Sequence, residues 1–427
     1  MAENIDPIGA IHTYVAKNFP NVIREIVGID TDVDLSFKAL NVEEFTGSGP
    51  MSLLFKCDCK YAAERKGNPT DSEARTISFF AKYFRRRDPD LPEGLFDSKE
   101  DYWKVEYDTH SLFKGLKYVP SIYPEMKGRI LLVEYIPGES LEKVLETKDE
   151  QGRESTIKKL LETTISRFHE DARERMAGLI RGRNNHKTLM AHFKEQEDSS
   201  VKALGYLRAI KGLNNIKQIP DSLKERFQDS YWPITEAYDH ASSSDQISHG
   251  DLTPTNIIMN KKGEFFIIDP KVKFRQQILD VSTLLVSPGM KFTPETWLSL
   301  ADAYWTASPQ KRSAESLLFG CIHESLKKMG KGRDVQRHFP KTWLSWFLER
   351  ESFTNLYAES MKNIEQATNF CIDNHSRIGI EEYKIPALEK LRKILFEEKW
   401  IYPEDMSHIE EAKQSTPLEA ETRKEAV

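Results

Sequence analysis

Residues 247–260 read ISHGDLTPTNIIMN, and EFFIIDPKV follows at 264–272. A short apolar run ends in His249-Gly250-Asp251, Asn256 stands five residues beyond Asp251, and Asp269 closes a second apolar run thirteen residues beyond Asn256. Apolar runs of this length separated by turn residues predict a small β-hairpin. Its polar ends would bring a carboxylate, an amide carbonyl and a second carboxylate to one edge. Oxygen donors of this kind suit Mg²⁺, which takes one or two protein groups and fills its octahedron with water and phosphates. One acidic group is then left to orient a hydroxyl. An isolated Asp-x4-Asn is a common chance pattern, and a plain hairpin with polar ends is the simpler account. His-Gly in front and Ile-Ile-Asp behind favour the chemical one.

Phosphoryl transfer needs such parts together with a cation on the donor nucleotide. Upstream, VDLSFKALNVEEF, MSLLFKCDCKY and RTISFFAKYF read as three extended segments with hairpin-length connections, which predicts an antiparallel sheet. Lys82 lies inside the third segment among Phe79, Phe80 and Phe84. A snorkelling lysine is its bland reading, and Lys56 is its rival as the functional cation. A helix is predicted at 98–115, with a Ser98/Asp101 capping box and a stop at Gly115. On it Glu106 lies beside the apolar face of Tyr102, Val105, Thr109, Leu112 and Phe113, a place where a carboxylate needs a cation. Glu100 and Glu134 are alternatives to Glu106. A lysine in the third strand paired with a glutamate in the next helix is the arrangement kinases use to hold the α- and β-phosphates. Gly47-Ser48-Gly49 serves equally well as a phosphate loop or as a hairpin turn.

RILLVEYIPGESL reads as a last strand broken at Pro137-Gly138, and beyond it the pattern is helical: 154–177, 187–212, 221–241 and several helices within 295–399. A mainly β segment followed by a mainly α segment makes an α+β protein of two lobes. The expected division is residues 1–133 with an amphipathic accessory helix (Ile8, Ile11, Val15, Phe19), a hinge at 134–140, a helical lobe at 141–405 and a disordered tail at 406–427. The length of 427 residues allows such sub-domains, and 39% apolar residues fit an ordered globular chain. A net charge of −6 forecasts no nucleic-acid face. No signal peptide and no run of about 18 apolar residues is visible, so the expectation is a cytoplasmic protein with no membrane partner. Cys57 and Cys59 share one face of their strand and read as reduced thiols; as a metal pair they would lack assignable further ligands. Thr293-Pro294 reads as a helix cap and first turn, and WLSWF at 343–347 as core or acceptor lining.

His-Gly-Asp-Leu-x-Pro-x-Asn followed by Ile-Ile-Asp resembles the aminoglycoside phosphotransferase and choline kinase superfamily, relatives of protein kinases that phosphorylate small molecules. The resemblance spans about residues 35–400 in order: glycine turn, Lys82, Glu106, the VEYIPGESL linker, ISRFHED, the catalytic loop and the second Asp. It implies a protein-kinase-like fold, with an antiparallel β N-lobe and a mainly helical C-lobe, and the use of ATP and Mg²⁺. By it Asp251 is the catalytic base, Asn256 and Asp269 hold the metal, and Lys82 with Glu106 steadies the nucleotide. The backbone at Glu134, Tyr135 and Ile136 would meet adenine, and Gly47, Ser48 and Gly49 would cover the phosphates. His249 would brace the loop, Asp280 would be the structural Asp opening the next helix, and His169 would be structural.

Three departures bear on the acceptor. Pro270 follows Asp269 where protein kinases have Phe-Gly, and is similar to the fructosamine kinase and streptomycin phosphotransferase branches. Thr253 stands where serine/threonine protein kinases have Lys, and Gly250 where they have Arg. These favour transfer of the γ-phosphate to a hydroxyl of a small molecule such as an aminoglycoside, amino alcohol or sugar. A protein kinase and a non-catalytic nucleotide-binding scaffold remain the other classes.

Overall fold

The computed structural model describes residues 6–27, 33–45, 52–65, 68–84, 102–123, 130–181, 199–210, 216–239, 247–271, 273–338 and 356–397. The chain divides into two compact units: residues 1–144, 178–194 and 255–271 form unit 1, and 145–177, 195–254 and 272–427 form unit 2. The division falls between Pro254 and Thr255, inside the motif quoted above. The expected tail at 406–427, the Ser98/Asp101 box, the Gly47–Gly49 turn and the WLSWF segment lie outside the described residues.

Unit 1 opens with helix α1 (Pro7–Val27) and an antiparallel sheet in the order β1-β2-β3-β4 (Val33–Glu44, Ser52–Arg65, Asn68–Phe84, Ile130–Glu134). Ile11, Val15, Phe19, Val22 and Ile23 recur at helical spacing and are buried against Phe55, Cys57, Cys59, Phe79 and Ala81 of the sheet. Ile8, expected in that stripe, is 41% exposed at the helix start, and Tyr14 takes part instead. Strand alternation puts Phe79, Ala81 and Tyr83 into this core and sends Lys82 to the opposite face, between Leu54 of β2 and Leu131 of β4. The same alternation buries Cys57 and Cys59 together as free thiols. The β2–β3 hairpin runs further than its apolar residues suggest, closing at Arg65 opposite Asn68, because backbone pairing does not require apolar side chains.

Helix α2 (Tyr102–Leu112) follows, and Gly115 adopts φ +86° after it, a left-handed stop open to glycine. Pro137-Gly138 does not end the strand region. Gly138–Ser140 forms β5, which pairs with β7 (Ile257–Asn260), itself paired with β8 (Phe265–Ile267). A side chain at position 138 would collide with the Met259 carbonyl, so the close approach of β5 to β7 requires glycine there. The predicted hairpin between Asn256 and Asp269 is thus the centre and edge of a three-stranded sheet.

Among its described residues, unit 2 is mainly helical and carries a two-residue ladder of β6 (Ile247–Ser248) with β9 (Lys273–Phe274). Short α3 (Leu141–Glu146) leads in. The predicted 154–177 helix is α4 (Glu150–Leu160), a widened turn at Leu161–Ile165, and α5 (Ser166–Arg181). Then come α6 (Ser199–Ile210), α7 (Asp221–Asp239), α8 (Ile278–Leu285), α9 (Pro294–Ala307), α10 (Ala314–His338), α11 (Leu356–Ile378) and α12 (Ile385–Arg392). Thr293 caps α9, its hydroxyl accepting from the Thr296 N–H, with Pro294 in the first turn as the sequence predicts. Phe227, Tyr231, Trp297, Tyr304 and Phe319 are among the largest fully buried side chains. An antiparallel N-terminal sheet followed by a mainly helical region is therefore the architecture of the chain. Among the described residues no helix is long and apolar enough to cross a membrane.

Candidate active site

In unit 1 a polar cluster is built on β3, α2 and the segment leaving β8. The Lys82 ammonium bonds Glu106 on α2 and lies 2.9 Å from Asp269 Oδ1. Glu106 is 3% exposed, a burial a carboxylate tolerates only with such a partner. Lys56, the rival cation, is occupied otherwise: it pairs with Asp58 at 3.2 Å and its ammonium lies 5.4 Å over the Tyr135 ring. Asn256 ends a single turn at Pro254–Asn256, and its backbone carbonyl accepts from the Ile268 N–H at 2.9 Å, which ties the backbone before Asp269 to that of Asn256. Asp269 adopts φ +52°, a left-handed conformation that a side-chain-bearing residue seldom takes and that is common at functional sites. A carboxylate and an amide carbonyl are hard oxygen donors, so Asp269 and Asn256 fit Mg²⁺ by donor chemistry.

Two residues join this cluster that sequence reading does not single out. Lys271 lies 3.0 Å from the second Asp269 oxygen, Oδ2. Burial alone would push the Asp269 carboxyl up, but the Lys271 and Lys82 ammonium groups outweigh it and hold the group well below the carboxylate range. His110, one turn beyond Glu106, sits with Nε2 3.9 Å from Glu106 Oε1 and is pushed down to about 4 by burial, so its ring is neutral at pH 7. Ligand atoms of Glu106, His110 and Asp269 lie within 4.8 Å of one another. The Lys82 ammonium already serves the two carboxylates of that trio. Of the residues expected at adenine, Glu134 has its backbone N–H bonded to the Ser121 carbonyl at 2.8 Å and its carboxylate accepting from the Ser121 N–H at 2.9 Å; Tyr135 packs edge-on to Phe80; Ile136 is buried.

Unit 2 holds Asp251. Gly250 adopts φ +84°, a turn that glycine takes without strain, and this lets the backbone N–H groups of His249 and Gly250 both point at the Asp280 carboxylate. Asp280 also accepts from Arg275 at 2.9 Å and meets His169 Nε2 at 3.1 Å. Its burial is overcome by the His169 hydrogen bond and the Arg275 charge, so the carboxyl stays ionised far below its usual range. The Asp251 N–H donates to His249 Nδ1 at 3.2 Å, which leaves the ring proton on Nε2. Arg275 continues the network to Ser248 at 2.9 Å and to Glu324 at 2.8 Å, and Lys327 reaches the other Glu324 oxygen at 2.6 Å. Deep burial pushes Lys328 down to about 7 despite the pull of Glu324 and Asp251, and its ammonium is held by the Thr283 carbonyl at 2.9 Å. Arg275, Glu324 and Lys327 carry no local sequence signal, since each matters only through partners distant in the chain.

The same region makes a pH prediction. His323 is buried, bonds the Tyr231 hydroxyl at 2.7 Å and is pushed down to about 3 by burial, against the pull of Glu324. It stays neutral in the folded chain while an unfolded chain would protonate it near 6.5. Its contribution is therefore complete above pH 6.5 and lost as pH falls toward 3, at up to about 1.4 kcal/mol per pH unit. His110 adds the same trend down to about 4. Urea midpoints measured between pH 6.5 and 5 should fall, and His323→Gln should flatten the fall; an unchanged slope in that variant would refute the assignment.

No protein-family model matches the chain, and no curated protein sequence matches it. Solved structures do. The chain is similar to an ethanolamine kinase of Plasmodium vivax at 11% identity, covering 86% of this chain and 91% of that one with a TM-score of 0.47. It is similar to a choline kinase of Cryptosporidium parvum at 13% identity, covering 87% and 98% with a TM-score of 0.39. Spectinomycin phosphotransferase, solved with ADP and spectinomycin, matches at 13% identity over 85% and 100% with a TM-score of 0.42. Over most of its length, then, the chain has structural matches among ethanolamine and choline kinases and aminoglycoside phosphotransferases.

Proposed function

We propose that this chain is an ATP-dependent, Mg²⁺-requiring phosphotransferase that moves the γ-phosphoryl group to a hydroxyl of a small molecule. The observation that carries the reading is one ammonium, Lys82, joined at once to Glu106, 24 residues away, and to Asp269, 187 residues away. A strand lysine, a helix glutamate and an aspartate after the hairpin meeting in this way is what nucleotide phosphates need for orientation.

In this reading Lys82 holds the α- and β-phosphates and Glu106 fixes the direction of its ammonium. Asn256 and Asp269 hold Mg²⁺, which when bound would neutralise charge on the phosphate oxygens. Asp251 accepts or orients the proton of the acceptor hydroxyl, on a loop whose backbone is fastened by Asp280. Residues 1–133 serve the nucleotide, the backbone at 134–140 meets adenine, Gly47, Ser48 and Gly49 cover phosphate, and the helical residues 141–405 select the acceptor. Thr253 and Gly250, in place of the Lys and Arg of protein kinases, support a small acceptor.

The test is ATP consumption by the full chain with Mg²⁺ against aminoglycosides, choline, ethanolamine, sugars and amino sugars. One acceptor is expected to stimulate turnover that Asp251→Asn removes. Stimulation by polypeptides alone would instead make it a protein kinase, and nucleotide binding without turnover on any acceptor would make it a scaffold.

A further inference from the structure

Helix α2 sets Glu106 and His110 four residues apart on one face, and the segment leaving β8 brings Asp269 to them. Ligand atoms of the three lie within 4.8 Å of one another. Tetrahedral donors around a zinc ion, with bonds of about 2.0–2.1 Å, stand about 3.3 Å apart, so a modest contraction closes the trio. Donors at i and i+4 of a helix are also the spacing that helical zinc motifs use.

Two buried atoms of this cluster are unmet. His110 is 5% exposed; among the described residues its Nδ1 has no partner, and its Nε2 stops 3.9 Å from Glu106 Oε1, beyond hydrogen-bond reach. Glu106 gives Oε1 to Lys82, while its Oε2 is buried with no hydrogen-bond partner among the described residues. Buried polar atoms are ordinarily satisfied, so the two point to a ligand. A carboxylate oxygen and an imidazole lone pair both ask for an electron-pair acceptor, which a cation is. The imidazole decides which cation: Mg²⁺ takes oxygen donors, whereas Zn²⁺ takes imidazole nitrogen and carboxylate oxygen together.

We propose that Glu106, His110 and Asp269 form a Zn²⁺ site that competes with Lys82 for the two carboxylates. One ammonium now joins both, bonding Glu106 and lying 2.9 Å from Asp269 Oδ1. A dication neutralises both carboxylates and gains an imidazole bond that an ammonium cannot make. The Lys82 side chain is 17% exposed and its ammonium lies 5.5 Å over the Phe84 ring, an aromatic face it keeps when it gives up the carboxylates. Zinc bound here withholds both the anchor of Lys82 and the carboxylate meant for Mg²⁺, so the site is inhibitory; that consequence rests on the phosphotransferase reading above.

Zn²⁺ alone, titrated into the nucleotide-free full chain against a fluorescent chelator, should fill one such site. His110→Gln should bind it at least about 100-fold more weakly, the top of the range for a group that merely supports a ligand. Lys82→Met, freed of the competing ammonium, should bind it more tightly. X-ray absorption of the zinc-loaded native chain, which needs no variant to fold, should show one imidazole per zinc with oxygen otherwise. With Mg²⁺ present, buffered Zn²⁺ should weaken binding of a fluorescent ATP analogue to the native chain and leave it unchanged in His110→Gln. No zinc binding, equal affinity in His110→Gln, or a zinc shell containing sulfur or several imidazoles overturns the site and leaves the phosphotransferase reading intact. Zinc held with the expected shell by a chain that binds no nucleotide, even with Mg²⁺ and no zinc, supports the site and overturns that reading.

Discussion

Replacing Asp251 by Asn is expected to lower turnover by about 10²- to 10⁴-fold, the usual contribution of a positioned general base, with the unfolding midpoint little changed. Asn keeps the shape and the backbone N–H that donates to His249 Nδ1, so the loop held by Asp280 should persist. What it removes is the capacity to take a proton from a hydroxyl. The loss should fall on kcat, because in the proposed mechanism the carboxylate acts on the acceptor in the transition state and not on the nucleotide. Turnover within tenfold of native at saturating substrates would remove Asp251 from the mechanism.

The second large effect is structural. Asp280→Ala should cost about 3–5 kcal/mol, the range for breaking a buried charge pair by deleting one partner. The deletion strands the backbone donors of His249 and Gly250, takes one of two carboxylates from Arg275 and removes the His169 contact, all in a fully buried place. Each buried donor left unmet adds about 1–3 kcal/mol to the penalty. Urea unfolding followed by near-ultraviolet circular dichroism would measure it. Asp280→Asn retains one carbonyl acceptor and the volume, and should lose less than the alanine variant. A loss below about 1 kcal/mol for Asp280→Ala would mean that the network is relieved by water and that the loop is not fastened as described.

The sequence determined the elements whose cause is local. Alternation of apolar residues placed Lys82 on a strand face away from Phe79 and Ala81, helical spacing drew α1 onto the sheet, and Thr293-Pro294 marked the start of α9. It also determined the order of the chain, an antiparallel sheet before a mainly helical region. These features follow from periods of two and 3.6 residues and from side chains that cap or turn the backbone near themselves. Local signals failed where a partner came from far along the chain. Pro137-Gly138 reads as a break, yet β7 recruits Gly138–Ser140 as β5. Ile8 fits the helical stripe but stays 41% exposed at the helix start.

The site divides along the same line. Asp251, Asn256 and Asp269 stand out in the sequence because their spacing predicts polar ends to one hairpin, whose strands are Ile257–Asn260 and Phe265–Ile267. Their partners are another matter: Lys82 meets Asp269 across 187 residues, Arg275 meets Glu324 across 49, and His169 meets Asp280 across 111. Lys271 looks like any surface lysine until the left-handed backbone of Asp269 and the approach of Lys82 put two ammonium groups on one carboxylate. Sequence fixes which groups are available and on which face of their own element they stand. Only the tertiary structure decides which charges desolvate one another, because that depends on distances between elements that no local period encodes.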